Sequence, residues 1–213
     1  MRKTGSLLSS GLLRYNPNSE KIEEDLASMA IAKDGLSYTL TLKDGLFWHD
    51  STEEDPHPVT ADDVLFTYDT VQNPVFPNSL LRQNFQGVKV EKVNNRAVKF
   101  ILEDSYSFFP SNLTLGILPK RAFESIPVDR LDQALDFGFA PIGAGPYKLR
   151  TVTQTDLSTE VTLERFPRPI PPNYLLDRIV FRIFADYPSL LSDVRNLDGM
   201  RLVPHAENGL PAI

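Results

Sequence analysis

Residues 40–69 read LTLKDGLFWHDSTEEDPHPVTADDVLFTYD, a strand, a glycine turn, an aromatic-His-Asp corner and a capped helix in that order. From Ser37 to Lys43 the residues alternate, with Tyr38, Leu40 and Leu42 on one face and Ser37, Thr39 and Thr41 on the other. That period suits a half-buried strand. Gly35 and Gly45 bracket it, each after an Asp, as turn residues do. Thr60 occupies a helix N-cap position with Asp63 three residues on, a variant capping box. Asp62 and Asp63 in the first turn favour the helix dipole. Ala61, Leu65 and Tyr68, with Val64 and Val71 beside them, recur at helical spacing and give the helix one apolar face.

Upstream, Gly11 to Asn18 reads as a strand and a turn. Glu20 to Ile31 carries Ile22, Leu26, Met29 and Ala30 at roughly helical intervals. Downstream, Pro74 and Pro77 interrupt regular structure. The alternating runs Val88–Val93 and Ala97–Leu102 predict a hairpin about Asn94 and Asn95, because Asn tolerates positive φ. Val88 and Val90 would share a face with Val98, Phe100 and Leu102. Short helices are expected at Pro119–Glu124 and Asp129–Phe137, then a tightly turned loop over Phe139–Pro146. Tyr147–Thr153 and Glu160–Phe166 predict a second hairpin, and Pro167–Pro172 an irregular bridge. Arg178–Phe184, apolar on both faces, predicts a strand buried on both sides. A helix over Pro188–Leu197 and a strand over Met200–Val203 complete the order. Hairpins and short helices with few βαβ alternations argue for an α+β class rather than a doubly wound sheet.

With 213 residues and 41% hydrophobic composition the chain can bury a substantial core. A net charge of −6 argues against nucleic acid as a partner. The 22 basic residues are scattered, which disfavours an anionic membrane surface, and no apolar run is long enough to span a bilayer. The opening MRKTGSLLSSGLL is too interrupted by Ser and Gly for a signal-peptide core and reads as the start of the folded domain. There is no cysteine, so disulfides, thiol catalysis and zinc–thiolate sites are excluded.

LKDGLFWHD followed by PVTADDVLFTYD resembles the signature of bacterial extracellular solute-binding proteins of family 5, which serve peptide and nickel ABC importers. There a similar strand leads into an F-H-D-G-x-P-[VL]-T-A-[DE]-D-V segment. Five further stretches stand in the same order. Gly11–Pro17 resembles an E-G-L-L-x-Y-D-P turn, Gly116–Lys120 an L-P-K segment, and Pro141–Leu149 a P-V-G-T-G-P-Y-K-L segment; Leu163–Phe166 and Leu176–Ile183 close the series. The resemblance runs from about Gly11 to about Val203. It implies a periplasmic-binding-protein-like lobe of type II, cluster C, with a nested α+β domain and the second lobe missing. Residues 1–35 and 140–213 would form the lobe, residues 36–139 the nested domain, and Glu20–Ile31 an extended passage.

Candidate chemistry is sparse. His49, Asp50, Glu53, Glu54, Asp55 and His57 crowd into nine residues and could hold a divalent metal, with His49 and His57 as the nitrogen ligands. The competing reading is a solvated acidic loop, Glu53–His57 being an insertion relative to the family pattern and His49 a structural corner residue. Gly143-Ala144-Gly145 lacks the following helix that a phosphate loop needs, since Pro146 removes an amide. No histidine stands in a hydrolase motif, so no catalysis and no cofactor are expected. The resemblance implies ligand contacts at Gly11, Leu12 and Leu13 and near Tyr147 and Phe181, the last two having core readings as well. Ser10 replaces the family's usual acidic residue, and Phe166-Pro167 the usual corner with its tryptophan.

These features point to the N-terminal portion of a substrate-binding component of an ABC importer. Its partners would be a peptide or other small solute and a membrane permease, its place the periplasm or cell surface, with the signal segment not present in this chain. The alternative is a receptor-derived protein-interaction module without a transport role.

Overall fold

The computed structural model describes residues 7–133, 141–167 and 174–194. Strands β1 (Leu13–Asn16) and β2 (Lys21–Glu24) form a hairpin. Strands β3 (Ala27–Ile31), β4 (Ser37–Leu42), β5 (Lys89–Asn94) and β6 (Ala97–Ile101) form an antiparallel sheet in the order β3-β4-β6-β5. Strands β7 (Tyr147–Gln154), β8 (Ser158–Arg165) and β9 (Arg178–Phe184) form a third, in sequence order. Glu20–Ile31 is thus extended rather than helical, as the resemblance implied. Leu26 and Ala27 turn inward there and the rest of β3 lies largely at the surface.

Helix α1 (Ala61–Gln72) covers the four-stranded sheet. Register decides which side chains meet it: Tyr38 pairs with Phe100 and Leu40 with Val98, so the alternation of β4 and β6 puts one apolar face inward. From the helix, Ala61, Val64, Tyr68 and Val71 are buried and Leu65 is half-buried at the edge of the stripe. Tyr68 stands edge-on to Phe100 at 4.8 Å and to Phe85 at 5.0 Å, and Phe109 lies 5.0 Å from Tyr38 and 5.8 Å from Phe100. Such ring pairs contribute about 0.5–1.5 kcal/mol each beyond the area they bury. Phe85 comes from the segment after α2 (Ser79–Gln83), and Phe109 from α3 (Phe109–Asn112), so the rings tie those short turns to the sheet.

Two buried polar residues of α1 hold the next stretch of chain. The Asp63 carboxylate accepts from the Thr60 amide at 2.9 Å and hydroxyl at 3.0 Å, closing the expected cap. Its other oxygen accepts from the Lys120 amide at 2.9 Å, which starts α4 (Lys120–Phe123). One turn on, the Thr67 hydroxyl accepts from the Leu118 amide at 2.9 Å while donating to the Asp63 carbonyl. The Leu-Pro-Lys segment is therefore fixed by side chains of α1.

Three expectations are corrected. The β5–β6 turn is Asn95-Arg96, one residue later than read, with a bulge between Lys92 and Asn94. Neither Asn has positive φ; instead the Asn94 side chain accepts from the Arg96 amide at 2.8 Å, an Asx turn. Strand β9 is not buried on both sides: Val180 is 48% and Ile183 49% exposed, on opposite faces, and the strand lies at an edge of its sheet. The helix expected from Asp129 is a 3₁₀ turn over Val128–Gln133, and its remainder to Phe137 lies outside the described residues. The last helix, α5, covers Tyr187–Val194, while the Met200–Val203 strand and most of the proline bridge also lie outside them. Gly35 and Gly45 both adopt φ of +69°, as their turns require.

Two substitutions test this core. Asp63→Ala should destabilise the protein by about 3 kcal/mol, because three donors, one of them the α4 amide, lose a charged acceptor; urea unfolding reads the change. The Tyr68 hydroxyl is buried and has no hydrogen-bond partner among the described residues, and burial raises its pKa far above the usual phenol value. Tyr68→Phe should therefore add about 1 kcal/mol of stability at neutral pH. An unfolded tyrosine ionises near pH 10 while folded Tyr68 resists, so the folded state loses stability as pH rises beyond about 10. Melting curves of the Phe variant should show a shallower alkaline decline.

Candidate functional site

The His-Asp corner faces the loop that leads into β7. The His49 amide donates to the Gly143 carbonyl at 2.9 Å, the Gly143 amide donates to His49 Nδ1 at 3.3 Å, and His49 Nε2 lies 3.0 Å from the Gly145 carbonyl. Because Nδ1 accepts, Nε2 carries the proton and donates, which defines a neutral imidazole with both nitrogens engaged. The ring edge rests on Phe166 at 4.9 Å. From the other side Leu7 and Leu8 cross the same loop, the Gly145 amide donating to the Leu8 carbonyl at 2.9 Å. A Cβ on Gly143 would meet that carbonyl oxygen at 1.8 Å, and one on Gly145 the Leu7 oxygen at 2.4 Å. The glycines are required by three strands of backbone meeting, not by an anion.

The residues expected to touch ligand fall in two places. Gly11 bridges to Gly116, the Leu13 amide donates to the Leu113 carbonyl at 3.0 Å, and a Cβ on Gly11 would sit 2.7 Å from Thr114 backbone. Leu12 and Leu13 are 0% and 1% exposed and belong to the core. Backbone as well as side chain is consumed here: the Leu12 carbonyl accepts from the Asp25 and Ala27 amides, each at 3.1 Å, and the Gly11 carbonyl from the Leu26 amide at 3.3 Å. Tyr147 is buried, donates its hydroxyl to the Leu176 carbonyl at 3.0 Å and packs edge-on to Tyr174 at 5.7 Å. Phe181 is half-buried on β9 opposite Val161.

The acidic loop gathers around Asp50 and His57. His57 Nδ1 lies 3.4 Å from Asp50 and Nε2 3.1 Å from Asp55, and Asp50 is also paired with Arg121. Glu53 and Glu54 project into solvent. His49 turns its ring to the glycine loop instead, so the two imidazoles do not act together, and no three His, Asp or Glu groups form a metal-holding cluster among the described residues.

One groove, of about 440 Å³, was not legible in the motifs. It lies between the β1–β2 hairpin, β3 and the turn into α3, with Tyr15, Ile22, Met29 and Phe108 among its walls and Glu20 at its rim. The sequence signal was faint: Tyr15 and Ile22 are isolated apolar residues in polar surroundings, brought face to face only by hairpin register.

The corner makes a direct test. His49→Ala should cost about 2 kcal/mol by leaving a buried amide and carbonyl unpaired, and Gly143→Ala at least as much by displacing Leu8. Because both act on one contact, the double variant should lose less stability than the sum, a coupling that a double-mutant cycle in urea measures.

Comparison with known proteins agrees with this architecture. The family model of bacterial extracellular solute-binding proteins, family 5 middle, matches residues 21–199. The glutathione-binding protein GsiB of Escherichia coli is 31% identical over 170 residues, 78% of this chain and 30% of that protein. The dipeptide-binding protein of Escherichia coli is 28% identical over 171 residues, covering 73% and 31%. The crystal structure of NikZ from Campylobacter jejuni in complex with Ni(L-His) superposes with a TM-score of 0.69 at 31% identity, over 90% of this chain and 36% of that one. The chain spans about a third of the length of the relatives it matches. Its fold is that of the type II periplasmic binding proteins. By sequence and by structure, this chain belongs to the family 5 extracellular solute-binding proteins.

Proposed function

We propose that this chain forms part of the substrate-binding component of an ABC importer, acting outside the cytoplasm by holding a peptide or similar small solute for a membrane permease. The match of the family model over residues 21–199 carries this reading. The relatives' ligands, a dipeptide, glutathione and a nickel–histidine complex, define the solute classes to test. No described helix is long and apolar enough to cross a membrane, which accords with a receptor that meets its permease from outside. No step of the function would be chemical: among the described residues His49 bonds to the glycine loop and His57 lies beside Asp50 and Asp55.

Binding would proceed by hinged closure of two lobes. Residues 1–35 and 140–213 would belong to one lobe and 36–139 to a domain nested in it, with β3 reaching across to complete the inner sheet through β4. The glycine-loop clamp on His49 would then be the seam between them. Gly11–Leu13 and Tyr147, buried here, would support the cleft from within, and half-buried Phe181 would be the expected contact open to the solute.

Since much of a small ligand's surface must be buried for tight binding, a chain spanning a third of its relatives should bind weakly. Isothermal titration with defined dipeptides, glutathione and nickel–histidine should give saturable heat with one class, at a dissociation constant of about 1 mM. Nanomolar affinity would overturn two-lobe closure, and no heat from any class would overturn the solute reading.

A further inference from the structure

The geometry points to a binding site for an organic ammonium ion carrying an apolar or aromatic group, in the groove between the β1–β2 hairpin, β3 and the turn into α3. The hairpin divides its side chains sharply. On one face Glu23 accepts from Arg14 and Asn16, each at 2.7 Å, and from Ser19 at 2.9 Å. On the other, Tyr15 stands opposite Ile22 and both line the groove with Met29. Across from them Phe108 is 68% exposed and Tyr15 57%, and the Tyr106 ring lies 6.1 Å from that of Phe108. The cavity of about 440 Å³ falls within the small-molecule range of about 300–1,000 Å³.

Charge selects the ligand. Glu20 is the one charged residue among those lining the groove. Unlike Glu23, its carboxylate has no ion pair or side-chain hydrogen bond among the described residues, and no Lys or Arg lines the cavity to neutralise it. Its backbone sits at φ +56°, the only non-glycine residue described in the left-handed region, a conformation that Gly or Asn would adopt at less cost. An anion would be repelled there. A neutral apolar guest would strip water from the carboxylate and leave it unpartnered. A cation meets the carboxylate and the negative faces of the exposed rings together, while its apolar group covers Ile22 and Met29.

This site does not depend on a transport role. It is tested by amide-resolved NMR titration of the chain with 2-phenylethylammonium, with neutral 2-phenylethanol as the matched control. The ammonium should give saturable shifts at Tyr15, Ile22, Met29 and Ser107, and bind about fivefold more tightly than the alcohol. Glu20→Gln should reduce the amine to the alcohol's affinity, and Phe108→Ala should weaken both. Both side chains are exposed, so the variants should fold, and the spectrum itself reports it. Equal affinity for amine and alcohol, shifts away from the groove, or no saturable shift would overturn the proposal.

Discussion

The structure depends on one cluster of rings. Tyr38, Tyr68, Phe85, Phe100 and Phe109 come from β4, α1, the segment after α2, β6 and α3, and neighbouring ring centroids lie 4.8 to 6.4 Å apart. No two of them are close in sequence, so none packs until the chain between them has taken its course. The cluster therefore converts a set of weak local preferences, several of them helices of four or five residues, into one arrangement. Helices so short would not persist alone; α3 delivers Phe109 to the rings, α2 leads directly into Phe85, and α4 is started by the Asp63 carboxylate.

Around this core the buried polar groups act as fasteners. Asp63 and Thr67 reach from α1 to Lys120 and Leu118, and His49 reaches to Gly143 and Gly145. Each satisfies backbone groups in segments that lack a sheet or helix partner, which is why polarity is tolerated there. Within the ring cluster the Tyr68 hydroxyl differs: it is buried and has no hydrogen-bond partner among the described residues. The contrast separates polar groups that organise the chain from one that is merely carried.

What the sequence disclosed follows the same division. Local rules sufficed where structure is local: the alternation of β4, the Thr60 cap, the glycine turns and the hairpin at Tyr147 are all present. They failed where tertiary partners decide. Ile22, Leu26, Met29 and Ala30 have helical spacing, yet the segment is extended, because β3 pairs with β4 and no helix could supply that ladder. Arg178–Phe184 looks doubly buried by composition, but nothing described covers its outer edge. Asp63 was legible as a cap and not as the anchor of Lys120, fifty-seven residues away. The groove at Tyr15 was invisible for the same reason: Phe108 reaches it only through the folded chain.

This explains why the stretch from Leu40 to Asp69 identifies a family yet says little of a ligand. A residue can contact a solute only with groups the fold has not already used. Both His49 nitrogens bond to the glycine loop, Asp63 accepts from three donors, and Trp48, Val64 and Tyr68 are buried. Leu12 and Leu13 are likewise consumed by the core. The motif is thus a record of how the chain crosses itself. Groups left with unspent capacity, such as the Glu20 carboxylate and the Phe108 ring, lie in segments without any motif.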